Sequence, residues 1–186
     1  VAEALAMKEF MGVPIRQMAY QPFGDIHLSF PSHTNAVHYR RELDLDSAIA
    51  TVSYQVADVT YRRQVIASHP DQVIVWRITA DKPGRIAFTT RMDSPHSSAQ
   101  TVLRDKHQLV LTGQVQDDGV KFEARLSVAV QGGKLTASGG TITVEAADSA
   151  TLVLAAATSV QSYSDISADP ATKCQTMLNT ASGKTF

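Results

Sequence analysis

The sequence is short of the residues on which most specialised chemistry depends. It carries a single cysteine, Cys174, in 186 residues, which excludes an intrachain disulfide and a thiolate metal cluster. Aromatic residues make up 6% of the chain, with one tryptophan, so a dedicated platform for stacking on sugars has little material to draw on. Neither sign of charge dominates. The 17 basic and 18 acidic residues leave a net charge of −1, and without a basic stripe neither nucleic acid nor an anionic membrane is expected as a partner. No apolar run reaches the length of a membrane span. No segment is of low complexity, and no motif recurs at a fixed period. The opening VAEALAMKEF lacks the charged start and apolar stretch of a signal peptide.

What the chain does have is material for a core: 44% of its residues are hydrophobic, enough for one domain of ordinary size. Residues 2–11 place Ala4, Leu5, Met7 and Phe10 at helical spacing, and Gly12 and Pro14 end that pattern. From Met18 to about residue 160 the period changes to two. Gln72 to Ala80 is apolar on both faces around Trp76 and reads as a central strand. Ile86, Phe88, Thr90 and Met92 share one face, as do Phe122, Ala124, Leu126, Val128 and Val130. Gly132-Gly133 and Gly139-Gly140 read as hairpin turns between short strands. About eleven closely spaced strands result, and the fold class is mainly β: an antiparallel β-sandwich with short helices at both ends. After Asp169-Pro170, residues 171–181 turn helical, with Gly183 as the stop. The organisation expected is a helical lead-in over 1–17, a sandwich over 18–160 and the start of a helical linker over 161–186. Both ends read as cut from a longer protein.

Candidate sites are sparse. His27, His33 and His38 fall close together with Asp25 nearby, but their spacing fits no zinc template, and no metal is expected. Ser68-His69-Pro70-Asp71 holds the residue types of a hydrolytic triad, yet triads assemble from distant segments and Pro-Asp favours a turn. Glu42, Asp44 and Asp46 alternate, which on a strand places three carboxylates on one face. An acidic, solvated strand face beside two arginines explains them better than an acid–base pair. The glycine pairs lack the strand–loop–helix setting of a phosphate loop. Residues 19–30, AYQPFGDIHLSF, run like a strand but carry Pro22 and Gly24. Both are tolerated at bulges and edges, so Gln21–Asp25 reads as a kink, with Ile26, Leu28 and Phe30 entering the sheet.

Several stretches together resemble a known family. Tyr20-Gln-Pro-Phe-Gly-Asp-Ile-His-Leu28, Tyr39-Arg-Arg-Glu-Leu-Asp-Leu-Asp46, Ala50-Thr-Val-Ser-Tyr54, Val59-Thr-Tyr-Arg-Arg63, Ala67-Ser-His-Pro-Asp-Gln-Val73 and Asp93-Ser-Pro-His96 look like the N-terminal β domain of glycoside hydrolase family 95. The tail, Asp165-Ile-Ser-Ala-Asp-Pro170 with Cys174, Leu178 and Ala181, resembles the segment leading from that domain to the catalytic barrel. The resemblance implies a β-supersandwich whose first strands precede Val1, followed by a helical linker and an (α/α)6 barrel that is the chain's partner in the same polypeptide. It implies inverting hydrolysis of terminal α-1,2-linked L-fucose from fucosylated oligosaccharides, without cofactor or metal, by groups beyond Phe186. It implies export to a periplasmic or extracellular space. No catalytic residue is expected within this chain. Asp25 and His27 are the candidates for the rim of the cleft or the interface with the barrel. The alternatives are a free-standing carbohydrate-binding sandwich and a structural interaction module.

Overall fold

The computed structural model describes residues 2–12 and 20–184. Pro14 and the junction of lead-in and sandwich at residues 17 and 18 lie outside the described residues. The elements run α1 (Ala2–Glu9), β1 (Asp25–Ser29), β2 (Val37–Asp44), β3 (Ile49–Val56), β4 (Val59–Ser68), β5 (Val73–Ala80), β6 (Ile86–Asp93), β7 (Gln100–Asp105), β8 (Gln108–Gln114), β9 (Lys121–Gln131), β10 (Lys134–Ser138), β11 (Thr141–Ala147), β12 (Ser149–Thr158) and α2 (Pro170–Ala181). Period-two patterning gives the strands, and their pairing builds two antiparallel sheets. One has four strands in the order β1-β6-β11-β10; the other has eight, in the order β2-β3-β4-β5-β12-β9-β8-β7.

The inward faces make the core. Phe88, Ile142 and Val144 of the small sheet meet Ile78, Leu109, Leu126 and Leu152 of the large one, each at most 2% exposed. Every large side chain so buried contributes roughly 1.5–3 kcal/mol. β5 lies in the middle of the large sheet, as its two-sided apolar pattern requires. Beyond β5, the outward face of this sheet takes α2. Cys174, Met177, Leu178 and Ala181 recur at helical spacing and pack with Val73, Ala155 and Ala157. Asp169 caps that helix, accepting hydrogen bonds from the N–H groups of Ala171 and Thr172 at 3.0 and 3.1 Å, with Pro170 in the first turn. Gly183 follows the helix at φ +80°, the left-handed conformation that closes helices.

Two turns differ from their sequence reading. Gly139-Gly140 does close a hairpin, between β10 and β11. Gly132-Gly133 does not. It joins β9 of the large sheet to β10 of the small one, so it is the corner where the chain changes layers. A Cβ at Gly133 would lie 2.3 Å from the Glu145 carbonyl oxygen and 2.5 Å from the Ala147 nitrogen. Only glycine permits so close an approach of backbone to backbone.

Residues 21–24 precede the sheet rather than kinking within it: β1 begins at Asp25. A Cβ at Gly24 would come within 2.4 Å of the Asp93 carbonyl oxygen, which explains the glycine. Ile26 and Leu28 face the core, and Phe30, just past the strand, packs 5.4 Å from Phe88 between ring centres.

Candidate functional site

The two sequence candidates, Asp25 and His27, lie two residues apart on β1 and share the outward face of the small sheet. The register with β6 sets Asp25 opposite Asp93 and His27 opposite Arg91. His27 Nε2 approaches Asp93 at 3.0 Å, and the Arg91 guanidinium pairs with the same carboxylate. The hydrogen bond from His27, reinforced by Arg91, holds the Asp93 carboxyl below its ordinary range. Local sequence pattern does not mark Asp93 and Arg91 as site residues. The alternation along β6 marks them as outward-facing, but only the β1–β6 pairing, across 66 residues, brings them to Asp25 and His27.

One potential ligand atom from each of Asp25, His27 and Asp93 lies within 4.8 Å of the others. A divalent ion there would compete with a guanidinium already bound to Asp93, on an exposed strand face. The arrangement does not suit glycosidic acid–base chemistry either. An inverting pair keeps its carboxyl groups roughly 6.5–9.5 Å apart to admit a water, and its acid needs a raised pKa, whereas Asp93 is held low. The cluster is an ion-paired polar surface, suited to contact with another polar surface or with hydroxyl groups.

The three histidines do not converge; the group of Asp25, His27 and Asp93 is the sole three-donor constellation among the described residues. His33 turns inward, with Nδ1 at 2.6 Å from the Tyr54 hydroxyl and its ring 4.1 Å from that of Tyr61. Burial, then the nearby Arg63 charge, pushes its pKa down. His38 stands at a β-bulge of β2 with φ +53°.

The acidic alternation is also broken up. Glu42 pairs with Arg40 at 2.6 Å. β2 ends at Asp44, and Asp46 lies in the following turn, not on the strand face where the alternation placed it. Asp44 accepts from the N–H groups of Asp46 and Ser47, which lowers its pKa and identifies it as a turn-maker. Ser68-His69-Pro70-Asp71 forms the β4–β5 turn as its composition requires: the Ser68 hydroxyl donates to Asp71 at 2.8 Å, and Asp71 also pairs with Lys184 after α2. No histidine joins that pair.

Among the depressions on the described surface, three have well-defined linings. One of about 430 Å³ lies on the outward face of the large sheet beside α2, with Asp71, Arg77 and Lys184 at its walls. One of about 350 Å³ sits at an end of the sandwich against Phe23, His96 and Phe122. One of about 370 Å³ lies over Ala67, Ile74 and Leu154. Asp71 is the sole carboxylate residue among their linings, so none of the three presents two facing carboxyl groups.

Relatives agree with a part rather than a whole. The chain is 38% identical to "Alpha-L-fucosidase 2" of Arabidopsis thaliana in an alignment of 186 positions, gaps included, that covers 83% of this chain and 22% of that protein. It is 28% identical to "Probable alpha-fucosidase A" of Aspergillus niger over 122 residues, 63% of this chain and 15% of that protein. Among solved structures, "Putative kojibiose phosphorylase from human microbiome" shares the fold with a TM-score of 0.55 at 12% identity, over 87% of this chain and 25% of that one. The chain thus spans about a fifth of the curated relatives it matches. Residues 1–163 match the model of the glycosyl hydrolase family 65 N-terminal domain, and the chain belongs to that family of N-terminal β domains.

Proposed function

We propose that the chain is the non-catalytic N-terminal β domain of an inverting glycoside hydrolase of the family 95 type, one that releases terminal α-1,2-linked L-fucose. The observation that carries this reading is the similarity to "Alpha-L-fucosidase 2", which covers most of this chain and only 22% of that protein. The site geometry supports the non-catalytic half: Glu42, Asp71 and Asp93 are held in ion pairs, Asp44 accepts backbone hydrogen bonds in a turn and Asp169 caps α2. The acid and base belong to an (α/α)6 barrel beyond Phe186, reached through a linker that starts at about residue 161. The sandwich over 18–160 supports the barrel, and Asp25 and His27 with Asp93 lie at the rim or interface. Fucose release from 2′-fucosyllactose, compared between residues 1–186 and the longer polypeptide, tests this. Release by the longer polypeptide alone is the expected outcome; release by residues 1–186 contradicts it.

A further inference from the structure

Arg63 of β4 carries a positive charge into the molecule without a counter-charge. It is half-buried, and no carboxylate pairs with it among the described residues. Its guanidinium lies over the Phe30 ring, 3.7 Å from the ring centre, and over that of Tyr54 at 4.9 Å. Cation–π contact offsets part of the cost of burying the charge but does not neutralise it.

Hydrogen-bond roles in this cluster follow from what each group can do. Arginine only donates, so Arg63 Nη2 donates to the Tyr54 hydroxyl oxygen. The proton of that hydroxyl has one acceptor among the described residues, His33 Nδ1 at 2.6 Å. Nδ1 is therefore the bare nitrogen, and Nε2 carries the hydrogen of a neutral ring. Burial, and then the Arg63 charge, favour that neutral ring. A turn closed by the His33 N–H and the Phe30 carbonyl at 3.1 Å positions it, with its centre 5.0 Å from that of Phe30 and 4.1 Å from that of Tyr61. Two donors remain. Arg63 Nε–H and His33 Nε2–H are both shut off from solvent, and neither has an acceptor among the described residues, which is a costly state for a buried donor.

We propose that this cluster binds a small monatomic anion, of which chloride is the type, held by Arg63 Nε–H and His33 Nε2–H. Three observations select that class. Both orphan groups are donors, so the ligand must accept, and a cation does not fit. The charge beside them is positive and unpaired: a water would satisfy the donors and leave the charge, whereas an anion answers both. The cluster is closed in by Tyr54 and Tyr61, 4% and 7% exposed, which suits a single atom and would leave most oxygens of a sulfate or phosphate unmatched. The inference is independent of the glycosidase reading.

The test uses the longer polypeptide, and fucose release plays no part in it. Crystals grown in bromide are measured at the bromine absorption edge. An anomalous peak within hydrogen-bond distance of Arg63 Nε and His33 Nε2 is expected, kept in Arg62→Gln and lost in Arg63→Gln. Arg62 is the control because it neighbours Arg63 on β4 and is exposed. In solution, exchanging gluconate for chloride at constant ionic strength raises the thermal midpoint of the unsubstituted polypeptide and of Arg62→Gln by about 2–4 °C, and leaves Arg63→Gln unmoved. A water at the two nitrogens, bromide at exposed positions only (an adventitious ion only), or equal midpoints in the two salts overturns the proposal. So does a response of Arg63→Gln equal to that of Arg62→Gln. The bromide peak and the response of the unsubstituted polypeptide decide the matter even where Arg63→Gln fails to fold.

Discussion

Arg125 Nη1, on β9, donates a hydrogen bond to the side-chain oxygen of Gln175 on α2. The same guanidinium pairs with Glu123 through Nε, and both partners are more than nine-tenths buried. One cation thus anchors the helix that follows the sandwich to the sheet beneath it, and does so on the outward face, where alternation alone would place solvated residues.

Removing one partner strands the other. Arg125→Ala leaves the Glu123 carboxylate buried without its counter-charge, and a loss of about 3–5 kcal/mol in unfolding free energy is expected. The double variant Glu123→Leu, Arg125→Met loses much less. Urea unfolding of the two variants checks the difference; equal losses contradict the buried-pair account.

The glycine corner makes a paired comparison. Gly133→Ala drives a methyl into the Glu145 carbonyl and the Ala147 amide and costs more than about 2 kcal/mol. Gly139→Ala meets nothing within 4 Å at φ +56° and costs only the left-handed penalty of about 1 kcal/mol. Thermal unfolding of both ranks them, and a Gly139 variant as unstable as the Gly133 variant contradicts the assignment of the layer change.

Stability should fall with acid in two stages. His33 is held below its ordinary pKa by burial and then Arg63, so the unfolded chain takes the proton first. Its contribution is full above an unfolded pKa of about 6.5 and is lost as pH falls from there through the folded value. Asp58 beside Lys82, Asp71 beside Lys184 and Asp93 beside His27 and Arg91 are also depressed. Their contribution is present above an unfolded pKa of about 3.9 and is lost below it as pH falls through their folded values. Urea midpoints against pH show both stages, and His33→Gln removes the first alone.

Asp25→Ala and His27→Ala, made in the longer polypeptide, change turnover by no more than about twofold if these groups serve the interface or rim, as expected for surface positions. Unchanged stability with a large loss of turnover contradicts that role and assigns them direct contact with the reacting sugar.

Much of the fold is legible in the sequence because burial imposes period two on every half-buried strand. β5 around Trp76, the inward face of β9, the cap at Asp169 and the stop at Gly183 follow from local pattern. Local pattern does not say which sheet a strand joins. Gly132-Gly133 has the composition of a hairpin and is a corner between layers, and Asp46 continues an alternation that the strand has already left. The surface cluster was half legible for the same reason. Asp25 and His27 are neighbours in sequence, while Asp93 and Arg91 reach them only through a strand pairing that no local signal encodes. The Glu123–Arg125 pair was hidden because its burial comes from α2, docked from some fifty residues away.

The most direct test of the central claim is fucose release from 2′-fucosyllactose by residues 1–186 and by the longer polypeptide, side by side. Release by the longer polypeptide and none by residues 1–186 is the predicted result. Release by residues 1–186 alone would contradict a non-catalytic domain and return attention to Asp25, His27 and Asp93.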